Sequence, residues 1–98
     1  MKKAIIIGAG IIGLSISYYL KKNNFDIIVL EKSKAGEEAS YASAGMLAAQ
    51  SEFDFYEKFM DFCIKSRDMY ADFCKDIENA SGINVELQKC GMIRPALN

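Results

Sequence analysis

The chain has 98 residues, 51% of them hydrophobic and 26% charged, with a formal net charge of −1 and no histidine. This composition excludes a disordered tail, and the charge balance offers no basic surface for nucleic acid. The missing histidine removes the commonest general base and the commonest zinc ligand.

The chain opens with Met1-Lys2-Lys3 and a mostly apolar stretch of 17 residues. A short signal anchor would look similar. The stretch sits at the bottom of the length range for a membrane span, and no small-residue cleavage site follows it, only Lys21, Lys22, Asn23 and Asn24. A cytoplasmic protein without membrane contact is the expectation. Residues 4–7 form an apolar, β-branched run suited to a parallel strand buried on both faces. Gly8-Ala9-Gly10-Ile11-Ile12-Gly13 follows at once, and residues 14–22 read as a helix stopped by Asn23-Asn24. Residues 27–30 are a second buried-strand run closed by Glu31. Residues 1–31 therefore read as a βαβ unit.

Residues 35–51 are dominated by Ala, Ser and Gly. Residues 53–81 predict a long amphipathic helix, continuous or broken once. Tyr56, Met60, Cys63, Tyr70, Cys74 and Ile77 recur at helical spacing, and Arg67 interrupts the stripe. Gly82 suits the left-handed position after a helix. Residues 83–98 read as extended pieces or short strands with a bend at Gly91. Cys63, Cys74 and Cys90 show no metal or CxxC spacing. On one helix Cys63 and Cys74 would stand roughly 16 Å apart, too far for a disulfide, so buried free thiols are expected.

A glycine turn of the form GxGxxG becomes specific when it joins a buried strand to a helix and an acid closes the next strand. Gly8 makes the tight turn. Gly10, lacking a Cβ, lets a pyrophosphate approach the backbone, and Gly13 lets the helix pack closely on the strands. The N–H groups of Ile11 and Ile12 are unpaired at the helix start and favour an anion. Glu31 can accept hydrogen bonds from ribose hydroxyls, and its charge disfavours a 2′-phosphate. The plainer alternatives are a structural glycine turn, a strand-end charge at Glu31 and a solvated Lys32. The small-residue segment favours FAD over NAD, since its backbone can reach a large flat cofactor and Ser40 can bond a phosphate or ribitol oxygen. An alanine-rich packing helix is the alternative there.

The GAGIIG turn, Glu31 and the run Ala39-Ser40-Tyr41-Ala42-Ser43-Ala44-Gly45-Met46-Leu47 resemble the amino-terminus of the D-amino-acid-oxidase-like FAD-dependent amine oxidases. Within them, the likeness is to the glycine oxidases of thiamine biosynthesis. The resemblance spans essentially the whole chain, and its AGML segment is more specific than its glycine turn. It implies FAD contacts at Ile11 and Ile12 (pyrophosphate), Glu31 and Lys32 (adenosine end), Ala39 and Ser40, and Ala44, Gly45 and Met46 (near the flavin).

The resemblance also implies oxidation of glycine, sarcosine or a D-amino acid, with the substrate site, its arginine and the last FAD-binding strands outside this chain. Where many members carry a proline shortly after GML, Ala48-Ala49 stand here. Arg67 and Arg94 match no part of the substrate motif, and no catalytic residue is assigned. The expected architecture is α/β: a Rossmann-like βαβ FAD-binding unit, a flavin loop, a long helix and short strands, forming part of one domain. The other classes to weigh are a plain NAD module and a homo-oligomer formed through the 53–81 helix, without catalysis of its own.

Overall fold

The computed structural model describes residues 1–96. They form two compact units, Met1–Met46 and a second beginning at Leu47. In the first unit, β1 (Lys3–Ile7) and β2 (Asp26–Leu30) flank α1 (Ile11–Lys22). The strands pair in parallel, from Lys3 opposite Asp26 to Ile7 opposite Leu30. One more bond extends the ladder at each end: Asp26 N–H to the Lys2 carbonyl (2.8 Å) and Gly8 N–H to the Leu30 carbonyl (2.7 Å). This is the mixed α/β arrangement that the two apolar runs and the intervening helical pattern predict.

The end of α1 is set by local chemistry. Lys21 and Lys22 occupy its last turn, where positive charge complements the helix dipole. Asn24 then adopts φ +62°. Its N–H bonds the Lys21 carbonyl and the Phe25 N–H bonds the Leu20 carbonyl, both at 3.1 Å. That crossed pair is a Schellman motif with asparagine in the left-handed position, and it aims the chain back into β2.

The strands are not buried on both faces as their apolar runs predict. Ala4 and Ile6 are half-buried, and Ile6 lies on the side of α1: its Cγ2 would stand 3.4 Å from a Cβ at Gly13. On the opposite face Ile5, Ile7, Ile28 and Leu30 are exposed. The physical reason is that a two-stranded sheet with one helix has cover for one face only. Among the described residues just Ala9 and Cys74 are buried.

In the second unit the helix expected over 53–81 is two helices, α3 (Lys58–Asp68) and α4 (Tyr70–Ser81), and residues 53–57 are not helical. The later start has a cause. The Ser51 and Phe53 carbonyls accept from the Arg94 guanidinium (3.0 and 2.7 Å), which also pairs with the Asp54 carboxylate. Those carbonyls are thereby engaged outside a helix, and Glu57 is still extended. The break lies at Met69, whose N–H is shared between the Lys65 and Ser66 carbonyls at 3.3 and 3.2 Å, a tightening toward 3₁₀ geometry. Gly82, at φ +73°, ends α4.

Residues 83–96 contain no strand, which corrects the short strands expected there; residues 97 and 98 of that stretch lie outside the described residues. A strand needs a ladder partner, and this segment is held by side chains instead. Glu78 accepts from the Val85 N–H (3.0 Å), Asn84 accepts from the Glu86 N–H (2.8 Å), and Ser51 Oγ donates to Met92 Sδ (2.8 Å). Glu86 and Gly91 both have positive φ, so the chain turns twice.

The closest approach in the first unit yields a prediction. A Cβ on Gly13 would stand 2.0 Å from the Gly8 carbonyl oxygen, a backbone atom that cannot swing away. Gly13→Ala should cost about 1–3 kcal/mol, the range for overpacking, read as a lower urea midpoint. An unchanged midpoint would contradict this packing.

Candidate functional site

The site grows from the end of β1. Gly8 takes φ +100°, open only to glycine, and turns the chain out of the sheet. Ala9 is then buried, 3% exposed. Its N–H donates to Glu31 Oε2 at 2.8 Å, and its carbonyl accepts from the Gly36 N–H at 2.7 Å. Glu31 Oε1 in turn accepts from the Ser33 N–H at 3.2 Å. The acid that closes β2 therefore grips the glycine turn. The Ala9 N–H is the main cause of a Glu31 pKa below the usual glutamate range. The Ser33 N–H adds to it, partial burial opposes, and the Lys32 N–H and charge contribute least.

At the start of α1 the Ile11 N–H donates to Ser40 Oγ at 2.8 Å. Ser40 belongs to a short helical turn, α2 (Ala39–Ala42), braced by Ser43 Oγ on the Ser40 carbonyl at 2.9 Å. The Ile11 N–H thus already has a partner, where the sequence suggests an unpaired donor. Leu14 N–H bonds the Gly10 carbonyl at 3.0 Å, and Ile12 N–H has no acceptor among the described residues.

These elements enclose a cleft of about 390 Å³, within the range of small-molecule pockets. Of the candidate residues it brings together Gly8, Gly10, Glu31, Lys32, Ala39 and Ser40. Gly13 lies behind it, packed against Gly8 and Ile6. Ile11 and Ile12 are exposed in the first turn of α1, and Ala44, Gly45 and Met46 follow α2 outside the cleft lining. Gly45 has φ +71° and Met46 is exposed. Sequence reasoning passed over Ile7, Leu30 and Glu38, which also line the cleft. The first two are strand-end residues whose only signal was apolar character.

An adenine dinucleotide fits this lining. The space that a Cβ on Gly8 would occupy is open, so a phosphate can approach the turn. Glu31 accepts two N–H bonds, and a carboxylate has about four lone-pair sites, so it retains acceptors for ribose hydroxyls.

The second unit has its own cavity of about 680 Å³, with Arg67, Gln50, Ser51 and Tyr70 in its wall. Arg67 donates to Gln50 Oε1 at 2.8 Å and to Asp68 Oδ1 at 2.9 Å, so its charge is already paired. The cysteines are free: Cys63 is half-buried, Cys74 buried and Cys90 exposed, the last against the expectation of burial. Burial, then the Glu78 charge, pushes the Cys74 thiol up, away from reactivity. Among the described residues no group of acids and cysteines could hold a metal, and no helix is long and apolar enough to cross a membrane.

The Glu31 grip is testable by pH. A lowered folded-state pKa contributes stability that is present above the ordinary glutamate range and is lost as pH falls through the lowered value. In an NMR acid titration the Ala9 amide resonance should move with a midpoint below that of an ordinary glutamate. A midpoint at or above the ordinary value would contradict the bond.

The chain matches the family model described as FAD dependent oxidoreductase over residues 3–98. It is 33% identical over 96 residues to the glycine oxidase of Bacillus subtilis (strain 168), covering 98% of this chain and 26% of that protein. It is 35% identical over 94 residues to the glycine oxidase of Bacillus licheniformis, covering 96% and 26%. To the bifunctional protein ThiO/ThiG of Synechocystis it is 36% identical over 93 residues, covering 93% and 14%. The chain spans about a quarter of the length of the glycine oxidases it matches. With the glycine turn, the closing acid and the small-residue segment all inside the matched region, the chain belongs to the FAD-dependent oxidoreductase family whose members include the glycine oxidases.

Proposed function

We propose that this chain is the FAD-binding amino-terminal portion of an amine oxidoreductase of the glycine-oxidase type. The observation that carries the reading is the cleft in which a positive-φ glycine turn, a carboxylate at the end of β2 and a serine of α2 bonded to the start of α1 face one space. The turn and Ser40 would hold the pyrophosphate, and Glu31 and Lys32 the adenosine end. Ala39 would line the path between them, and Ala44, Gly45 and Met46 would approach the flavin. When bound, FAD would supply the redox chemistry, as hydride acceptor for oxidation of glycine, sarcosine or a D-amino acid at the α-carbon; the products would be a 2-oxo acid and ammonia (methylamine from sarcosine), with oxygen reduced to hydrogen peroxide.

The chain's own residues bind and orient; the amino-acid substrate is met by parts of the protein that this stretch does not include. Neither nucleic acid nor membrane has a role in this reading, and the protein works in the cytoplasm. A second reading rests on a different observation. Phe55, Phe59 and Phe62 are 73%, 60% and 67% exposed in the second unit, and Phe59 stacks on Phe62. Exposed aromatic surface of this kind favours self-association, so a homo-oligomer contact in the 53–81 region is the alternative role.

A longer protein carrying this chain should purify yellow and release peroxide with glycine or sarcosine; a colourless protein that retains no flavin would sink the proposal. The 98-residue chain alone should bind FAD more weakly than about 1 μM, because only part of the cofactor's envelope is present. Calorimetry giving a tighter constant would contradict this.

A further inference from the structure

The opening stretch of the second unit is held from two sides by arginines. Arg67, in α3, donates to Gln50 Oε1 at 2.8 Å. Arg94 donates from Nη1 to the Ser51 and Phe53 carbonyls, at 3.0 and 2.7 Å, and from Nη2 to the Asp54 carboxylate. Ser51 Oγ lies within bonding reach of the Ala48 carbonyl, at 3.4 Å, and of Met92 Sδ, at 2.8 Å. All of these anchors belong to the second unit. Residues 48–54 are therefore fixed, and only Leu47 stands between them and Met46. The Arg94–Asp54 pair is exposed, and such pairs contribute little. The weight falls on the two backbone carbonyls, which the planar, five-donor fork of a guanidinium can engage together with the carboxylate.

We propose that Arg94 is a positioning residue for the flavin end of the cofactor. By clasping residues 51–54 it fixes the point where the chain leaves Ala44, Gly45 and Met46, and so restricts the conformations that those three residues offer to the ring. This rests on the flavin reading above and adds to it a residue outside the lining of the cleft. The physical gain is pre-organisation: backbone already held in place need not be ordered when the ligand binds. Arg94 thereby gains a role without touching substrate, although it lies more than 40 positions from the residues whose path it sets.

The test uses a longer protein carrying this chain, loaded with FAD, and reads the fluorescence and visible spectrum of the bound flavin. Arg94→Ala should raise that fluorescence several-fold, as the ring gains freedom and water, and blur the structure of the visible band. Arg94→Met keeps the apolar stem that supports folding but removes the donors, and should do the same. Affinity for ADP, which lacks the flavin end, should stay unchanged in both variants. Millimolar guanidinium, filling the vacated place, should return the Arg94→Ala signal toward that of the unaltered protein. A merely destabilised protein would respond in the opposite direction, because guanidinium weakens folded states. An Arg94→Met protein with the unaltered flavin spectrum overturns the proposal and leaves the flavin reading standing. So does an Arg94→Ala change that guanidinium deepens. An unaltered protein that retains no flavin brings down the proposal together with the flavin reading.

Discussion

Ala9 sits where three segments of the first unit meet, and both of its backbone polar groups are bonded away from water. The Glu31 carboxylate holds its N–H, and the Gly36 N–H holds its carbonyl. A buried peptide group without partners is costly, so the turn between β1 and α1 is well defined only when the end of β2 and the start of the next segment are in place. With Ala9 fixed, Gly8 and Gly10 present an open backbone, and the N-terminus of α1 lies where Ser40 can reach it. The cleft is thus a product of strand pairing: shifting β2 by one residue would move Glu31 away from Ala9 and dissolve the site.

This dependence changes the meaning of Glu31. A strand-end acid in such a motif is read first as a ligand for ribose. Here it is also a structural clamp, with an ionised carboxylate favoured by two N–H donors. The two roles are compatible, since each oxygen retains a lone pair. They also make Glu31 a residue whose replacement would disturb the turn and the ligand together.

Much of the first unit was legible in the sequence, because each of its parts has a local cause. The apolar runs at 4–7 and 27–30, the glycine turn and the Asn23-Asn24 stop all act within a few residues of themselves. What was not legible depended on distant partners. Nothing near Ile11 says that its N–H will be met by Ser40, and nothing near Phe53 says that Arg94 will engage its carbonyl and delay the helix. Nor does the helical stripe over 53–81 reveal the break at Met69. The strands' apolar runs report what could cover both faces, whereas the structure has one helix to cover one face. The family likeness reached the cofactor class correctly, because the motif that carries it is local; the individual contact residues rest on the proposal rather than on the fold.

The cleft bounded by the glycine turn, Glu31 and Ser40 is proposed to hold FAD and not a nicotinamide cofactor. Competitive titration of a longer protein carrying this chain with FAD and NADH tests it most directly. FAD should bind at least about tenfold more tightly, a difference of about 1.4 kcal/mol. A preference for NADH would contradict it.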